Sequence, residues 1–521
     1  MNTPLRPEVS RPLHVAAWRP PRVGLLALTL ELYETLAPDL RRRREDWLRE
    51  QVLPRLDRLA EVSFTGAVFR KEDIEAMVAD FEARQLDAIM VVLLTYSPSL
   101  NALGALQRTS LPILLWNTQE LFAVEGDFDY PAMSDNHGVH GTQDLANVLV
   151  RSGVRFEYST SHLRDEGAME RLGDFFVAAA ACRRLRQARI GLLGYPFPGM
   201  GDIAVDSTHL AATLGCRTVP LAMERLICQA ENASPDKVQA LVSEYSREYE
   251  VAGDVREEDL QATARMEIAM RAIVEGDRLD AMSYQFLAMG EDPRTLTVPF
   301  VAASRLMAEG VGFGGEGDVV SAAGTCLLNW LNPPASFAEM FTIDFGGNAV
   351  LMSHMGEANV AMARRDRKVP LCVQTRPVTR TRMGQLALAT SFQPGPATLM
   401  SLTQGRGRGS KRGWLRGLPN AGSCVWGPRL ETSPRRDELR WGAPAGGRWR
   451  LVASAMTVLD FGPLEGLAVP HFKLSPARDV REFLTDYALA GGPHHLAVCF
   501  GDARRRIKLA ASILGADYVE V

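Results

Sequence analysis

The first third of the chain alternates short apolar runs with stretches of helical period. Val23–Leu28 is an apolar run of strand length, and Arg41–Leu59 follows with Trp47, Leu48, Val52, Leu53, Leu56 and Leu59 at helical spacing. Asp87–Leu94 and Leu111–Trp116 are two more apolar runs, and Lys71–Arg84 and Ser99–Gln107 read as the helices around them. Continuous apolar strands separated by helices predict a parallel sheet covered on both faces.

A second unit of the same character begins near Arg189. Ile190–Gly194 predicts a strand that ends in the breaker-rich loop Gly-Tyr-Pro-Phe-Pro-Gly. Asp206–Gly215, Lys237–Glu248 and Thr263–Glu275 read as helices, and Ala281–Phe286 as a strand. In both units the place for a ligand is the loop crevice at the carboxyl ends of the strands. After about residue 335 helical period gives way to β-branched runs and frequent turns: Phe341–Phe345, Ala349–Ser353, Leu371–Val373, Ala387–Phe392, Ala397–Thr403 and Trp449–Leu459. That pattern predicts an antiparallel sheet or barrel, closed by helices at Val480–Ala490 and Ala503–Leu514. The expected division is 1–187, 188–335 and 336–521.

Composition narrows the function classes. With 46% apolar and 23% charged residues the chain has the profile of a soluble globular protein. A net charge of −4 gives no electrostatic reason to expect nucleic acid or an anionic membrane as partner. Seven scattered cysteines without a CxxC pair argue for free thiols in a reducing compartment, and no apolar run reaches the length of a membrane span. A cytoplasmic location is expected. The tract Gly405–Gly417, with five basic residues among five glycines, reads as a solvated hairpin loop rather than an RNA-binding surface.

Four segments hold residues suited to metal chemistry. Glu316 stands among four glycines in Gly312–Asp318, where the backbone can turn sharply and aim a carboxylate into a cavity; an exposed turn has the same composition. Glu339 interrupts the apolar run Ser336–Phe345, so it lies on a wet face or is buried with a partner, and Asp344 competes for the same role. His354 ends the run Ala349–Met352 and is either a structural histidine or a ligand. Of the adjacent pair His494 and His495, only one should face a given site if both lie on a strand. Two carboxylates with two imidazoles suit Mn²⁺, Co²⁺, Fe²⁺ or Zn²⁺ better than Mg²⁺ or Ca²⁺. No Walker A loop, HExxH helix, G-x-S-x-G elbow or GxGxxG after the first strand is present, which leaves phosphoryl, acyl and hydride transfer without a motif.

In order and spacing, GFGGEGD at Glu316, SFAE at Glu339, SHMGE at His354 and GGPHH at His495 resemble the metal site of L-arabinose isomerases. WNTQ at Trp116–Gln119 and DNHGVHG at Asp135–Gly141 continue the resemblance. The L-fucose isomerases are near neighbours of that family. The resemblance implies an α/β fold of two Rossmann-like parallel-sheet domains followed by an antiparallel, barrel-like domain. It further implies trimers or hexamers with the active site at a subunit junction, and aldose–ketose isomerisation with Mn²⁺ or a similar ion. Glu316, Glu339, His354 and His495 are then the metal ligands, with Glu316 and Glu339 also the proton-shuttling pair, and His140, Gln119 and His137 face the sugar.

Several sugar-facing positions depart from the family pattern. Leu30-Glu31-Leu32-Tyr33-Glu34 stands where the family has Gln-His-Leu-Tyr-Gly, Asn136-His137 where it has Asn-Gln, and Met355-Gly356-Glu357 where it has Met-Leu-Glu. These changes favour a related sugar over L-arabinose itself. A sugar-binding protein without turnover is the reading from another class, and the carboxylate pair beside two imidazoles argues against it.

Overall fold

The computed structural model describes residues 13, 19–292, 294–375, 382–405, 448–462, 464 and 466–521. The expectation for Gly405–Gly417 falls, beyond Gly405, outside the described residues.

The first sheet comprises β1 (Arg22–Leu28), β2 (Glu61–Ser63), β3 (Ala88–Leu93), β4 (Ile113–Asn117) and β5 (Glu157–Thr160), all parallel, in the order β2-β1-β3-β4-β5. Every side chain of β3 is buried, as a strand covered on both faces requires, whereas edge strand β5 alternates half-buried and exposed positions. The long predicted helix Arg41–Leu59 runs instead as Leu40–Trp47, a π-turn over Leu48–Val52, and Leu53–Leu56. Pro54 has no N–H to donate within the helix, and the π-turn precedes it.

Helix Glu166–Gln187 leads to a second parallel sheet: β6 (Arg189–Leu193), β7 (Arg217–Leu221), β9 (Ala281–Tyr284) and β10 (Gly312–Gly314), ordered β10-β9-β6-β7. Strand β8 (Glu250–Val251) leaves this sheet. It pairs with β13 (Pro370–Thr375), which in turn pairs with β14 (Arg382–Leu388) in a separate three-stranded sheet. The expectation that Leu371–Val373 and Ala387–Phe392 belong to the barrel is corrected here, because period-2 patterning cannot say which strand is a neighbour.

Among the described residues the barrel has six antiparallel strands. β11 (Ala335–Asp344), β12 (Ala349–Ser353), β15 (Gly395–Gly405), β16 (Arg448–Val458), β17 (His471–Pro476) and β18 (His495–Phe500) run in the order β15-β18-β11-β12-β17-β16, and β15 pairs with β16 to close the ring. β19 (Asp517–Glu520) adds to β16 in parallel. Ala338, Val350, Met352, Leu399, Phe472, Leu474, Leu496 and Val498 fill the interior.

Helix Val319–Leu331 joins the parts. Its sequence is apolar on all sides, and it packs in one core with the helix Glu166–Gln187, β6, β9 and the outward residues Ala335, Ala497 and Cys499 of the barrel. Whatever precedes this helix is therefore fixed between the second sheet and the barrel.

Candidate active site

Glu316 sits where β10 turns into that helix, at the carboxyl edge of the second sheet. It has φ +59°, a left-handed conformation that costs a non-glycine residue about 1 kcal/mol or more and concentrates at functional sites. Its neighbours make the turn possible. A Cβ on Gly317 (φ +81°) would lie 2.4 Å from the Tyr195 carbonyl, and one on Gly315 would lie 2.9 Å from His354 Nε2. The Glu316 carbonyl accepts the Phe197 N–H at 2.9 Å, which ties the breaker-rich loop after β6 to the same turn.

The barrel supplies the opposing wall from its outer face. Along β11 and β18, Ala338 and Leu496 point into the barrel core, whereas Phe337, Glu339 and His495 point outward against the second sheet's unit. Glu339 and His495 are register partners, so their side chains stand side by side. Of the two expectations for Glu339, burial with a partner is the observed one: its side chain is 16% exposed and its Oε1 lies 3.1 Å from His495 Nε2. Glu316 Oε2 is 3.7 Å from the same nitrogen. That Nε2 is fully buried and, although close to Glu339, lies off the direction of a hydrogen bond and has no partner. Asp344, the competing acid, is instead paired with Lys473 at 2.7 Å.

Each imidazole is oriented by a carboxylate outside the four predicted ligands. Asp318 accepts the His495 Nδ1–H at 2.9 Å through Oδ2, while its Oδ1 caps the helix by accepting Val320 and Ser321 N–H, each at 2.9 Å. Glu357, buried, accepts the His354 Nδ1–H at 2.5 Å and the Tyr284 hydroxyl proton. In both arrangements Nδ1–H is held by a carboxylate, so Nε2 is the nitrogen that can exchange its proton for a metal. Phe337 lies edge-on between the two rings, at 4.8 Å from His354 and 4.9 Å from His495, and the ring centroids of His354 and His495 are 6.1 Å apart.

Both histidines of the adjacent pair reach the site. β18 begins at His495, so His494 lies in the preceding loop and strand alternation does not apply to it. Its ring is 4.1 Å from that of His495, and its Nε2 is 3.6 Å from Glu339 Oε1. Glu316, Glu339, His494 and His495 each offer one ligand atom within 4.8 Å of the others. His354 stands beside this group, with its Nε2 against Gly315.

The two carboxyl groups are shifted in opposite senses. Burial raises Glu316 above its ordinary value, against the pull of His495 and His354. Burial acts on Glu339 too, but the adjacent His495 and then His354 outweigh it and hold that carboxyl low. Burial disfavours the His495 imidazolium, yet Asp318 and Glu339 more than reverse this and raise it to about 10.

His140, His137 and Gln119 lie at the carboxyl edge of the first sheet and touch only groups there. His140 stacks on Tyr96 at 5.0 Å and lies 5.5 Å from the His137 ring; His137 Nε2 meets Tyr33 Oη at 2.9 Å; Gln119 donates to the Leu121 carbonyl at 2.9 Å. None of these contacts is with the carboxylate–imidazole cluster. Exposed apolar side chains surround this edge: Leu32, Leu36, Phe122, Val124, Tyr130 and Met133. The departures from the family pattern are occupied locally, Glu31 by Arg70 at 2.8 Å and Glu34 by Arg41 at 2.9 Å. Gly356 is required by packing, since a Cβ there would lie 2.3 Å from the Phe300 ring.

Residues 198–332 match the family described as L-arabinose isomerase central domain. An L-arabinose isomerase of Acidothermus cellulolyticus is 25% identical over 84% of this chain and 81% of its own length. One from Geobacillus kaustophilus is 25% identical over 91% of this chain and 88% of its own, and one from Arthrobacter sp. is 27% identical over 77% and 72%.

Proposed function

We propose, from the premise that the chain is a relative of the L-arabinose isomerases along most of its length, that it is a metal-dependent aldose–ketose isomerase. The substrate is a free sugar, an L-arabinose-like pentose or a 6-deoxyhexose, converted through a cis-enediol. The observation that carries the proposal is the buried His495 Nε2, without a hydrogen-bond partner, set between Glu316 and Glu339. A ring nitrogen beside two carboxylates, with Nδ1–H donated to Asp318, fits a transition-metal ligand whose ion displaces the Nε2 proton.

Glu316, Glu339, His354 and His495, the set the resemblance implies, would hold Mn²⁺ or a similar divalent ion, although the group whose ligand atoms lie within 4.8 Å of one another has His494 in place of His354. Such an ion supplies Lewis-acid stabilisation of the charge that builds on the sugar oxygens. The chain's own residues move the proton. Glu316 and Glu339 are the shuttling pair, one the base that takes the proton from carbon and the other the acid that serves the adjacent oxygen. The strained φ of Glu316 holds its carboxylate toward the barrel wall and away from solvent.

Homo-oligomerisation, as a trimer or hexamer, completes the proposal. The exposed apolar side chains near His140, His137 and Gln119 are a surface that a second copy would cover, bringing those side chains over its carboxylate pair. The chain acts in the cytoplasm, where the free thiols of Cys182, Cys216, Cys326 and Cys499 stay reduced. Among the described residues no helix is long and apolar enough to cross a membrane. The test is ketose formation across aldopentoses, 6-deoxyhexoses and aldohexoses by EDTA-stripped protein with and without added Mn²⁺. Turnover that returns only with metal supports the proposal, and a metal-binding protein that converts none of the panel refutes it.

A further inference from the structure

We infer that Asp202 is a positioning residue that holds His494 so that its Nε2 faces the open side of the carboxylate pair, where a hydroxyl of the bound sugar meets it. The inference rests on the isomerase reading above. Asp202 lies in the loop between β6 and the helix Ser207–Leu214, within the second sheet's unit, while His494 belongs to the barrel. One carboxylate oxygen, Oδ2, accepts both the main-chain N–H of His494 at 3.1 Å and its Nδ1–H at 2.5 Å. Two donors on a single acceptor fix the main chain and the ring together.

The segment before His494 is already rigid. A Cβ on Gly492 would lie 2.4 Å from the Tyr487 ring, and the Tyr487 hydroxyl donates to the Pro493 carbonyl at 2.7 Å. The ring itself has less to hold it. His494 is 37% exposed where His495 is 0%, and among the described residues Asp202 is the hydrogen-bond partner that holds the ring. With Nδ1–H given to Asp202, the acceptor Nε2 is directed at Glu339, 3.6 Å from Oε1. His494 is thus the imidazole that a ligand entering from solvent meets first, and Asp202 decides which nitrogen it meets and at what angle.

The experiment compares wild type, Asp202→Ala, Asp202→Glu, His494→Gln and the Asp202→Ala/His494→Gln double variant as full-length, Mn²⁺-loaded protein. Alanine removes the acceptor that both His494 N–H groups share, whereas an asparagine amide oxygen would keep it. We expect kcat to fall about 10–100-fold in Asp202→Ala, with Mn²⁺ affinity and Tm unchanged and part of the loss restored in Asp202→Glu. The double variant should lose no more than His494→Gln alone. In metal-free protein, histidine-labelled wild type should show a downfield Nδ1 proton that both single variants, Asp202→Ala and His494→Gln, lack. A kcat for Asp202→Ala within twofold of wild type overturns the inference, and so does the absence of that proton in metal-free wild type. If wild type binds Mn²⁺ but turns over no sugar, the isomerase reading fails by itself, and the proton signal alone then decides whether Asp202 holds the ring.

Discussion

Asp318→Asn separates the structural from the chemical work of one side chain. Oδ1 caps the helix Val319–Leu331 and Oδ2 takes the His495 Nδ1–H. Asparagine caps helices about as well as aspartate, so with Oδ1 kept in place the fold loses only the charge at the helix N-terminus, about 0.3–1 kcal/mol. Its amide NH₂ then faces His495 Nδ1. Turning the amide round would set that NH₂ against the Val320 and Ser321 N–H groups, donor on donor, so the imidazole must change instead. Nδ1 becomes the acceptor and the ring's one proton is fixed on Nε2, which points at Glu339, 3.1 Å away. The site keeps its shape and loses a ligand. Loss of an orienting carboxylate costs roughly 10–100-fold in metal affinity, about 1.4–2.7 kcal/mol. Calorimetric titration of Mn²⁺ into stripped protein measures this, and thermal unfolding of the stripped protein checks the fold. Mn²⁺ affinity within twofold of wild type, at unchanged Tm, would refute the assignment of His495 as a ligand through Nε2.

Other changes follow from the same geometry. Glu316→Gln and Glu339→Gln should each abolish ketose formation while the stripped proteins keep wild-type circular dichroism and Tm; activity in either variant removes that carboxylate from the chemistry. Gly315→Ala places a Cβ 2.9 Å from His354 Nε2, so it should weaken Mn²⁺ binding about tenfold, read by titration, without disturbing the first sheet. In the second sheet's unit, Glu267 is fully buried, with Arg305 and Arg271 at 2.9 and 2.8 Å and the Tyr245 hydroxyl at 2.7 Å. Burial alone would raise it, but the two guanidiniums prevail and its folded pKa lies below the unfolded value. Its contribution is therefore complete above the unfolded carboxylate range of about 4.3 and is lost as pH falls through the lower folded value. Glu267→Gln should cost about 3–5 kcal/mol in urea unfolding at pH 7 and proportionately less at pH 3; an equal cost at both pH values would show that the charge is not what matters.

The strand–helix succession of the two parallel sheets was legible because their strands are buried on both faces and their helices carry a 3.6-residue stripe, both local patterns. Val23–Leu28, Asp87–Leu94 and Ile190–Gly194 each coincide with a strand to within a residue or so. Elements whose apolar character is not periodic were missed. Helix Val319–Leu331 is apolar all round because it is buried all round, and β17 begins at a histidine that is itself buried. β11 was read as starting at Phe341 although pairing begins at Ala335, since its buried half, packed between β18 and the second sheet's unit, shows no alternation of polar and apolar residues.

The site divides along the same line between local and distant information. Glu316, Glu339, His354 and His495 each interrupt an apolar or glycine-rich stretch, yet alone each also reads as a structural residue, and it is the resemblance to L-arabinose isomerases that joins them as a set. The carboxylates that aim them leave weaker traces, graded by sequence distance. Glu357 is three residues from His354, close enough that SHMGE contains the whole pair. Asp318 looks like an ordinary helix cap, and nothing local announces a second partner 177 residues away. Asp202, 292 residues from His494, sits in a loop where an aspartate needs no explanation. The residues proposed as ligands are chemically unusual for their surroundings, so a sequence can show them. Residues that orient ligands need only be carboxylates in the right place, and that place exists only once the barrel has closed against the second sheet.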